Sequence, residues 1–356
     1  MRETVPFRAR SWHSPVVTSI GTGQQRTEAG ADVVGSGARG GLGQEQEAPA
    51  GLGALDGTEL VIVAYRSRPN VEALLAGLPP DLPVVVVDNS DGADGLAQLV
   101  QARPGGRYLS GGGRGFARAA NLGARSSTAE HLVFVKPTVR PTTADLAALV
   151  ADVAGDPSCS ASAGTLVHED GRSQLGVGGW EPSLPRALAH AVGLHKLVPR
   201  TGLYAQPPLG VPIQLDWVNG GCMAVRRSTF LELGGFDEGS YLFNEDVALG
   251  RASREHGLHQ RLRTDIAVHG IRGGSGAPTL DMWRLRAAAQ TRYFRTYRPG
   301  RASELAIAAL AVGHLLRAAA AVPLGKRVRA REHWAQAVGF VTGRGYMNGQ
   351  VVVSSR

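Results

Sequence analysis

Two short runs of almost pure aliphatic residues, LVIVAY over 60–65 and VVVVDN over 84–89, limit this chain to a few architectures. Apolar runs of this length, closed by turn residues, read as strands buried on both faces, and a sheet covered by helices on both sides buries strands in that way. The residues around them fit: 70–78 form a helical stretch that stops at Pro79-Pro80. A short strand at 107–109 follows, and Gly111-Gly112-Gly113 then leads into an alanine-rich helix through Gly123. HLVFV at 131–135 is a further strand and 142–153 a helix. Strands alternating with helices predict an α/β fold with a largely parallel sheet.

Beyond Pro157 the pattern is irregular as far as Pro212. Residues 216–227 then read as strand, 228–233 and 246–255 as helices, and a last strand ends near His269. Residues 1–57, rich in Gly, Gln, Glu and Ala, offer too little apolar surface to offset the entropy of ordering and predict a disordered leader. Within it, residues 1–20 are broken by Arg8, Arg10, His13 and Pro15 and hold no apolar core of a secretory signal. Across 356 residues, 43% hydrophobic and 19% charged is enough to build a core. The two cysteines, Cys159 and Cys222, form no CxxC pair. They exclude a disulfide scaffold or zinc ribbon and fit a reducing, cytoplasmic compartment.

The net charge of +8 is unevenly placed. From Arg272 onward 14 Lys/Arg face three Asp/Glu, a net of +11, which leaves −3 for residues 1–271. An anionic partner is therefore expected for the tail alone. The tail, 276–356, reads as helical; LAIAALAVGHLL over 305–316 is apolar, but His314, Arg317 and Pro323 interrupt the roughly 20 residues that a spanning helix needs. Arg292, Arg295, Arg298 and Arg301 precede it, and Lys326, Arg327, Arg329 and Arg331 follow. That arrangement predicts a helix lying on the anionic inner face of a membrane; a helix packed on the core with a solvated rim is the other reading. No helix-turn-helix, zinc-finger or RNP pattern accompanies the charge, so nucleic acid is not an expected partner.

Several residues could carry chemistry. Asp88 stands where the second strand ends, the place at which open α/β sheets bind ligands, although VDNSDG taken alone reads as a turn capped by its Asp. The loop GGGRGFARAANLG over 111–123 fails the dinucleotide spacing because Arg118 stands where the third glycine would fall. Its small residues still let backbone approach a diphosphate, with Arg114 or Arg118 supplying charge. Asn244-Glu245-Asp246 places two adjacent carboxylates at a helix start, where one can serve as base or both can simply complement the helix dipole.

The order of these pieces adds a constraint. VIVAYR, VVVVDNSDG, GRGFARAANLG, FVKPT, the block WVNGGCMAVRRSTFLELGGFDEGSYLFNEDVALGRASREHG over 217–257, and AVHGIRGGS together resemble glycosyltransferase family 2, in particular its rhamnosyltransferase-like branch. The resemblance spans 58–275 and implies a GT-A fold: a nucleotide-binding α/β sheet merged with an acceptor-binding half. It implies inverting transfer from a nucleoside-diphosphate sugar, dTDP-rhamnose first, to a saccharide or lipid-linked saccharide in cell-envelope polysaccharide synthesis. By position it implies that Tyr65, Asp88 and Asn89 hold the nucleotide. Gly115, Phe116, Ala117 and Asn121 would line the donor loop, and Trp217, Gly220 and Gly221 would shape the sugar pocket. Asp246 would be the base, Glu245 its neighbour, and His269 a residue near the diphosphate or a divalent metal.

One departure stands out. Where the family usually reads Asn-Pro-Asp, whose aspartate binds a Mg or Mn ion, this chain reads Lys136-Pro137-Thr138. A hydroxyl is no substitute for a hard anionic ligand. Two readings are open: Lys136, with Arg140, supplies the charge a metal would have supplied, or the donor site binds without turnover.

Overall fold

The computed structural model describes residues 52–271, 279–347 and 349–354; most of the expected leader, residues Gly273-Gly274-Ser275 and the boundary near 275 lie outside them. A 3-10 turn, Leu52–Leu55, buries Leu55 and joins the chain to the core a few residues ahead of 58. Then come β1 (Thr58–Ala64), α1 (Arg68–Ala76), β2 (Val84–Asp88), α2 (Leu96–Gln101), β3 (Gly106–Ser110), α3 (Phe116–Ser126) and β4 (His131–Val135). They are followed by β5 (Val139–Arg140), α4 (Thr143–Gly155), β6 (Cys159–Val167), β7 (Gly178–Gly179), α5 (Leu184–Ala191), β8 (Ile213–Leu215), β9 (Trp217–Val218) and β10 (Cys222–Arg226). The C-terminal part contains α6 (Arg227–Glu232), α7 (Glu245–Glu255), β11 (His259–Gly270), α8 (Thr279–Tyr297), α9 (Arg301–Ala321), α10 (Arg327–Thr342), β12 (Arg344–Met347) and β13 (Gln350–Ser354).

Among the described residues the central sheet has nine strands in the order β3-β2-β1-β4-β10-β6-β11-β5, with β8 also on β11. β3, β2, β1 and β4 are mutually parallel. The expectation of a largely parallel sheet holds: β6 and β11 run in the same direction as these four, and β10, β5 and β8 are the antiparallel members among the described residues. The two aliphatic runs are the buried strands β1 and β2, and helix α3 covers them. A side chain at Gly123 of α3 would meet Val61 Cγ1 at 2.6 Å, so glycine permits that close approach. Helix α4 starts at a capping box in which Thr142 and Asp145 exchange side-chain-to-backbone hydrogen bonds of 3.1 and 2.8 Å.

Two segments differ from the sequence reading. The stretch after Pro157, read as irregular, contains β6, a nine-residue strand buried throughout. Its sequence CSASAGTLV hides it, because the buried hydroxyls are satisfied internally: Ser162 donates to Asp152 at 2.6 Å and Thr165 to the Arg263 carbonyl at 3.0 Å. The strand read as continuous over 216–227 is broken at 219–221 into β9 and β10.

The C-terminal helices belong to the core rather than trailing from it. Leu285 and Ala288 of α8 pack with Met347 and Val353, against Tyr241, Leu242 and Phe243. Three of the four arginines expected to face a membrane are used within the fold: Arg292 pairs with Asp237, Arg295 with Glu304 at 2.8 Å, and Arg298 with Glu181 at 3.0 Å. Helix α9 is long and apolar enough to cross a membrane by length and composition, yet it buries Ile307, Leu310 and His314 in packing against α5 and α10. The helix packs on the core through these residues, while Leu305, Val312 and Leu316 are exposed.

Candidate active site

The chain changes direction in the sheet at β1, which lies between β2 and β4. Open α/β sheets bind ligands in the crevice beyond the carboxyl ends of the strands at such a switch point. Tyr65 follows β1, Asn89 follows β2 and Lys136 follows β4, so the sheet alone delivers these three residues to one place. With Phe116 they line a cavity of about 310 Å³ whose further walls are Tyr241, Phe243, Thr138 and, from the C-terminal part, Met282 and Met347. The aromatic lining suits a base and ribose. The Asn89 Oδ1 is buried without a partner among the described residues, as expected of an acceptor held for a ligand.

A second, more polar cavity of about 170 Å³ is lined by Trp217, Asn219, Glu245, Asp246 and Arg286. Lys136, Leu242 and Phe243 line both cavities. The Lys136 ammonium donates to Asn219 Oδ1 at 3.1 Å, and the Asn219 amide donates to Asp246 Oδ2 at 3.4 Å. Gly221 permits this row, since a Cβ there would meet Leu166 Cδ1 at 2.7 Å and Asn219 Oδ1 at 2.8 Å.

The two acids are presented by strained backbone. Phe243 and Asn244 both have left-handed conformations, φ 72° and 64°, immediately before α7. Consecutive residues of this kind cost of order 1–3 kcal/mol each and persist where the fold needs a particular side-chain direction. Here they turn the first residues of α7 into the cavity. Burial pushes the Glu245 carboxyl up to about 8, with repulsion from Asp246 adding to it. Asp246 is also raised by burial, but Lys136 opposes the shift by favouring its ionised form. Two buried carboxylates this close do not both ionise readily. The proton therefore rests on Glu245, whose Oε2 has no partner among the described residues, and the charge on Asp246 beside Lys136 and Arg286.

Other expected site residues take different positions. Asp88 is fully buried and its oxygens accept from Ser90 N (2.8 Å), Ser90 Oγ (2.5 Å), Gly92 N (2.8 Å) and Tyr108 OH (2.9 Å). Burial alone would raise its carboxyl, yet these bonds outweigh that and hold it below the ordinary range. Asp88 thus organises the turn after β2, and a ligand contact through it requires one of these bonds to be exchanged. Ala117 and Asn121 are not donor-loop linings: Ala117 is core, and Asn121 clamps the following GGFDE segment through Phe236 O (2.8 Å), Phe236 N (2.9 Å) and Glu238 (3.1 Å). Gly115, with φ 99°, lets the chain pass the Tyr241 backbone, which a Cβ would meet at 2.4 Å. Trp217 is buried against α7 and donates to the Trp180 carbonyl at 3.2 Å, while a side chain at Gly220 would find ordinary contact distances. Arg140 spends its guanidinium on the Pro137 and Val139 carbonyls at 2.7 and 2.9 Å, bracing the Lys136 turn rather than adding charge to a ligand.

The donor set does not fit a divalent metal. No carboxylate lines the 310 Å³ cavity among the described residues: Thr138 offers only a hydroxyl in place of the coordinating anion, and the Lys136 cation stands two residues before it. His269 is exposed on β11, borders neither cavity, and belongs to no group of three His, Cys, Asp or Glu residues able to hold a metal among the described residues. Asn219, Tyr241, Phe243, Met282 and Arg286 are site residues that sequence reasoning did not assign. Three of them lay inside the quoted 217–257 block, and the two from α8 carried no local signal.

A nucleotide-type sheet with a cavity at its switch point and a buried acid pair beside it is the arrangement expected of the GT-A type. The chain is 32% identical over 211 residues to N-acetylglucosaminyl-diphospho-decaprenol L-rhamnosyltransferase of Mycobacterium tuberculosis, which covers 54% of this chain and 68% of that protein. It is 25% identical over 203 residues to rhamnosyltransferase WbbL of Escherichia coli K12, covering 53% and 74% respectively. The protein is a glycosyltransferase and belongs to the rhamnosyltransferase-like branch of glycosyltransferase family 2. No family model matches it. Among solved structures it is similar to a mannosyltransferase from Pyrobaculum calidifontis in complex with GDP-Man and Mn2+ (TM-score 0.49, 18% identity, 80% of this chain and 86% of that one). It is also similar to GalNAc-T7 with UDP, GalNAc and Mn2+ (TM-score 0.46, 15% identity, 70% and 53%). Membership of the family rests on the sequence relatives and not on these two likenesses.

Proposed function

We propose that the protein transfers a sugar, with inversion, from a nucleoside-diphosphate sugar to a hydroxyl of a saccharide or lipid-linked saccharide. In this reading Lys136 supplies the charge that a divalent metal supplies elsewhere. The observation that carries it is the position of Lys136, which borders the aromatic cavity on one side and the acid pair on the other. An alcohol is a weak nucleophile, so Asp246 accepts its proton as the oxygen bonds to the anomeric carbon. The bond from that carbon to the diphosphate breaks, and its electron pair leaves with the nucleotide. The growing negative charge is met by the Lys136 ammonium, fixed in advance by Asn219. A site that bound without turnover would have no use for a buried acid pair held by strained backbone.

The donor assigned first is dTDP-rhamnose, with UDP- and GDP-sugars behind it; the name of the mycobacterial relative supports an L-rhamnose and a diphospho-lipid acceptor. In this reading the work belongs to cell-envelope polysaccharide synthesis, peripherally on the cytoplasmic face of the membrane. The corner between α9 and α10 supports such a location, exposing Val322, Leu324 and Val328 among Lys326, Arg327, Arg329 and Arg331. The test is transfer from dTDP-rhamnose to a diphospho-lipid saccharide in EDTA, with the new linkage read by NMR. An inverted anomeric centre is the expected product. A retained configuration, or no transfer from any of the three nucleotide classes, contradicts the reading.

A further inference from the structure

Beside the acid pair lies a cavity that the transfer step does not use. It has a volume of about 270 Å³ and is bounded by α5, the turn at 194–196, α8, α9 and α10. Its lining includes Lys196, Arg286 and Arg317 and the four histidines His190, His195, His314 and His333, and no carboxylate. Neighbouring arginines 251, 254, 292, 295 and 298 all pair with acids, whereas none of these three cations has a carboxylate partner among the described residues. Two donors in the cavity are also unmet, Arg317 Nη1 and Trp283 Nε1, and His190 Nδ1 is likewise buried without a partner among the described residues. Donors left so are rare in folded proteins and mark a missing acceptor.

The histidines do not converge as metal ligands. His190 stacks on His195 with ring centres 4.3 Å apart, and His314 meets His333 Nδ1 to Nδ1 at 3.1 Å. No group of three potential ligands is placed to hold a metal among the described residues. Burial first, then the neighbouring His195 and Arg317, push His190 down to about 3; burial and Arg317 do the same to His314. The imidazoles are thus held neutral beside Lys196, Arg286 and Arg317, and no carboxylate lines the cavity itself. Arg286 and Tyr204 line this cavity and also the one holding Asp246.

We propose that this cavity binds the diphosphate of the acceptor, the group joining saccharide to lipid, and so delivers the sugar hydroxyl to Asp246. Lysine and arginine, backed by neutral N–H donors and free of acids, are the chemistry that recognises phosphate esters. The inference rests on the lipid-linked acceptor of the proposed function. It is tested with Lys196→Gln, an exposed position whose replacement leaves packing intact, and with Arg317→Gln. The readout is the ratio of kcat/KM for a diphospho-lipid saccharide to that for a neutral alkyl glycoside of the same saccharide. Losing one charge-assisted contact lowers that ratio about tenfold in each variant. A ratio unchanged in both, or a wild-type protein without preference for the diphosphate, overturns the proposal. A second measurement titrates pyrophosphate into the full chain by calorimetry with dTDP saturating, so that the donor cavity is filled. Weaker binding in Lys196→Gln supports the site, and equal binding overturns it. Weaker pyrophosphate binding with an unchanged acceptor ratio means a site for free anions and overturns the acceptor assignment. If the wild type transfers to neither acceptor, the proposed function fails on its own, and the titration still decides whether the cavity takes a diphosphate.

Discussion

Replacing Lys136 by alanine should remove two effects at once, and each has its own magnitude. As the cation bordering both cavities, Lys136 faces the position where the departing diphosphate gains charge. A preorganised donor at such a position is worth about 3–4 kcal/mol, so kcat should fall on the order of 10²–10³-fold. The second effect concerns the base. Lys136 and Asp246 are held on either side of the Asn219 amide, through contacts of 3.1 and 3.4 Å. Unit charges roughly 7 Å apart at an effective dielectric constant of about 20 interact by about 2 kcal/mol, equivalent to about 1.5 pH units. Lys136 favours the ionised carboxylate, so its loss raises the Asp246 pKa further, and the acid limb of the kcat/KM profile should move to higher pH. Lys136→Arg, which keeps the charge, should retain most of both. The assay is release of dTDP from dTDP-rhamnose with acceptor present, in EDTA, followed as a function of pH. Full turnover in Lys136→Ala, or an acid limb that stays in place, would refute the assigned role.

Three further outcomes follow from the same geometry. Glu245 has a folded-state pKa of about 8, above its ordinary 4.5, so its contribution to stability is complete below about 4.5 and lost as pH rises through 8. Glu245→Gln should therefore flatten the fall of Tm across that window, and parallel Tm curves for the two proteins would contradict the assignment of the proton. Gly221→Ala forces a Cβ to within 2.8 Å of Asn219 Oδ1, which should displace the Lys136–Asp246 link and lower kcat about tenfold or more, with a stability loss of about 1–3 kcal/mol by urea unfolding. Glu181 joins Arg251, Arg254 and Arg298 at 2.7–3.0 Å and accepts from the Tyr293 hydroxyl at 3.0 Å, tying α8 to α7. Glu181→Gln should cost about 3 kcal/mol, read as a lower urea midpoint with unchanged slope, because it leaves Arg254 and Arg298 without a carboxylate at a part-buried site while Arg251 keeps Glu255.

The parts of the fold legible in the sequence were those whose burial is uniform. The runs 60–64, 84–87 and 132–135 are apolar because both faces of these strands lie in the core, and apolar runs announce that environment. β6 is just as buried but was illegible, since its hydroxyls are matched to Asp152, Ser253 and the Arg263 carbonyl, partners that only tertiary structure supplies. The same distinction governs the site. Tyr65, Asn89 and Lys136 could be placed because each follows a readable strand, and Glu245 and Asp246 because they open a readable helix. The resemblance put Asn121 in the donor loop, and its internal partners exist only once the Phe236–Glu238 segment is folded against it. The C-terminal arginines looked like a membrane surface for a related reason: their partners Asp237 and Glu181 are more than 50 residues away in sequence. Arg286 and Met282 reach the cavities only through the packing of α8 on the 241–243 loop.

The central claim is a working donor site in which Lys136 stands in for a metal. It is tested most directly by thermal stabilisation of the purified protein with dTDP, UDP and GDP, each in manganese and in EDTA. A ligand that binds only the folded state raises Tm by mass action. The expected result is stabilisation by dTDP that persists undiminished in EDTA and is lost in Lys136→Ala. Stabilisation seen only with manganese, or with no nucleotide at all in a well-folded sample, would contradict the claim.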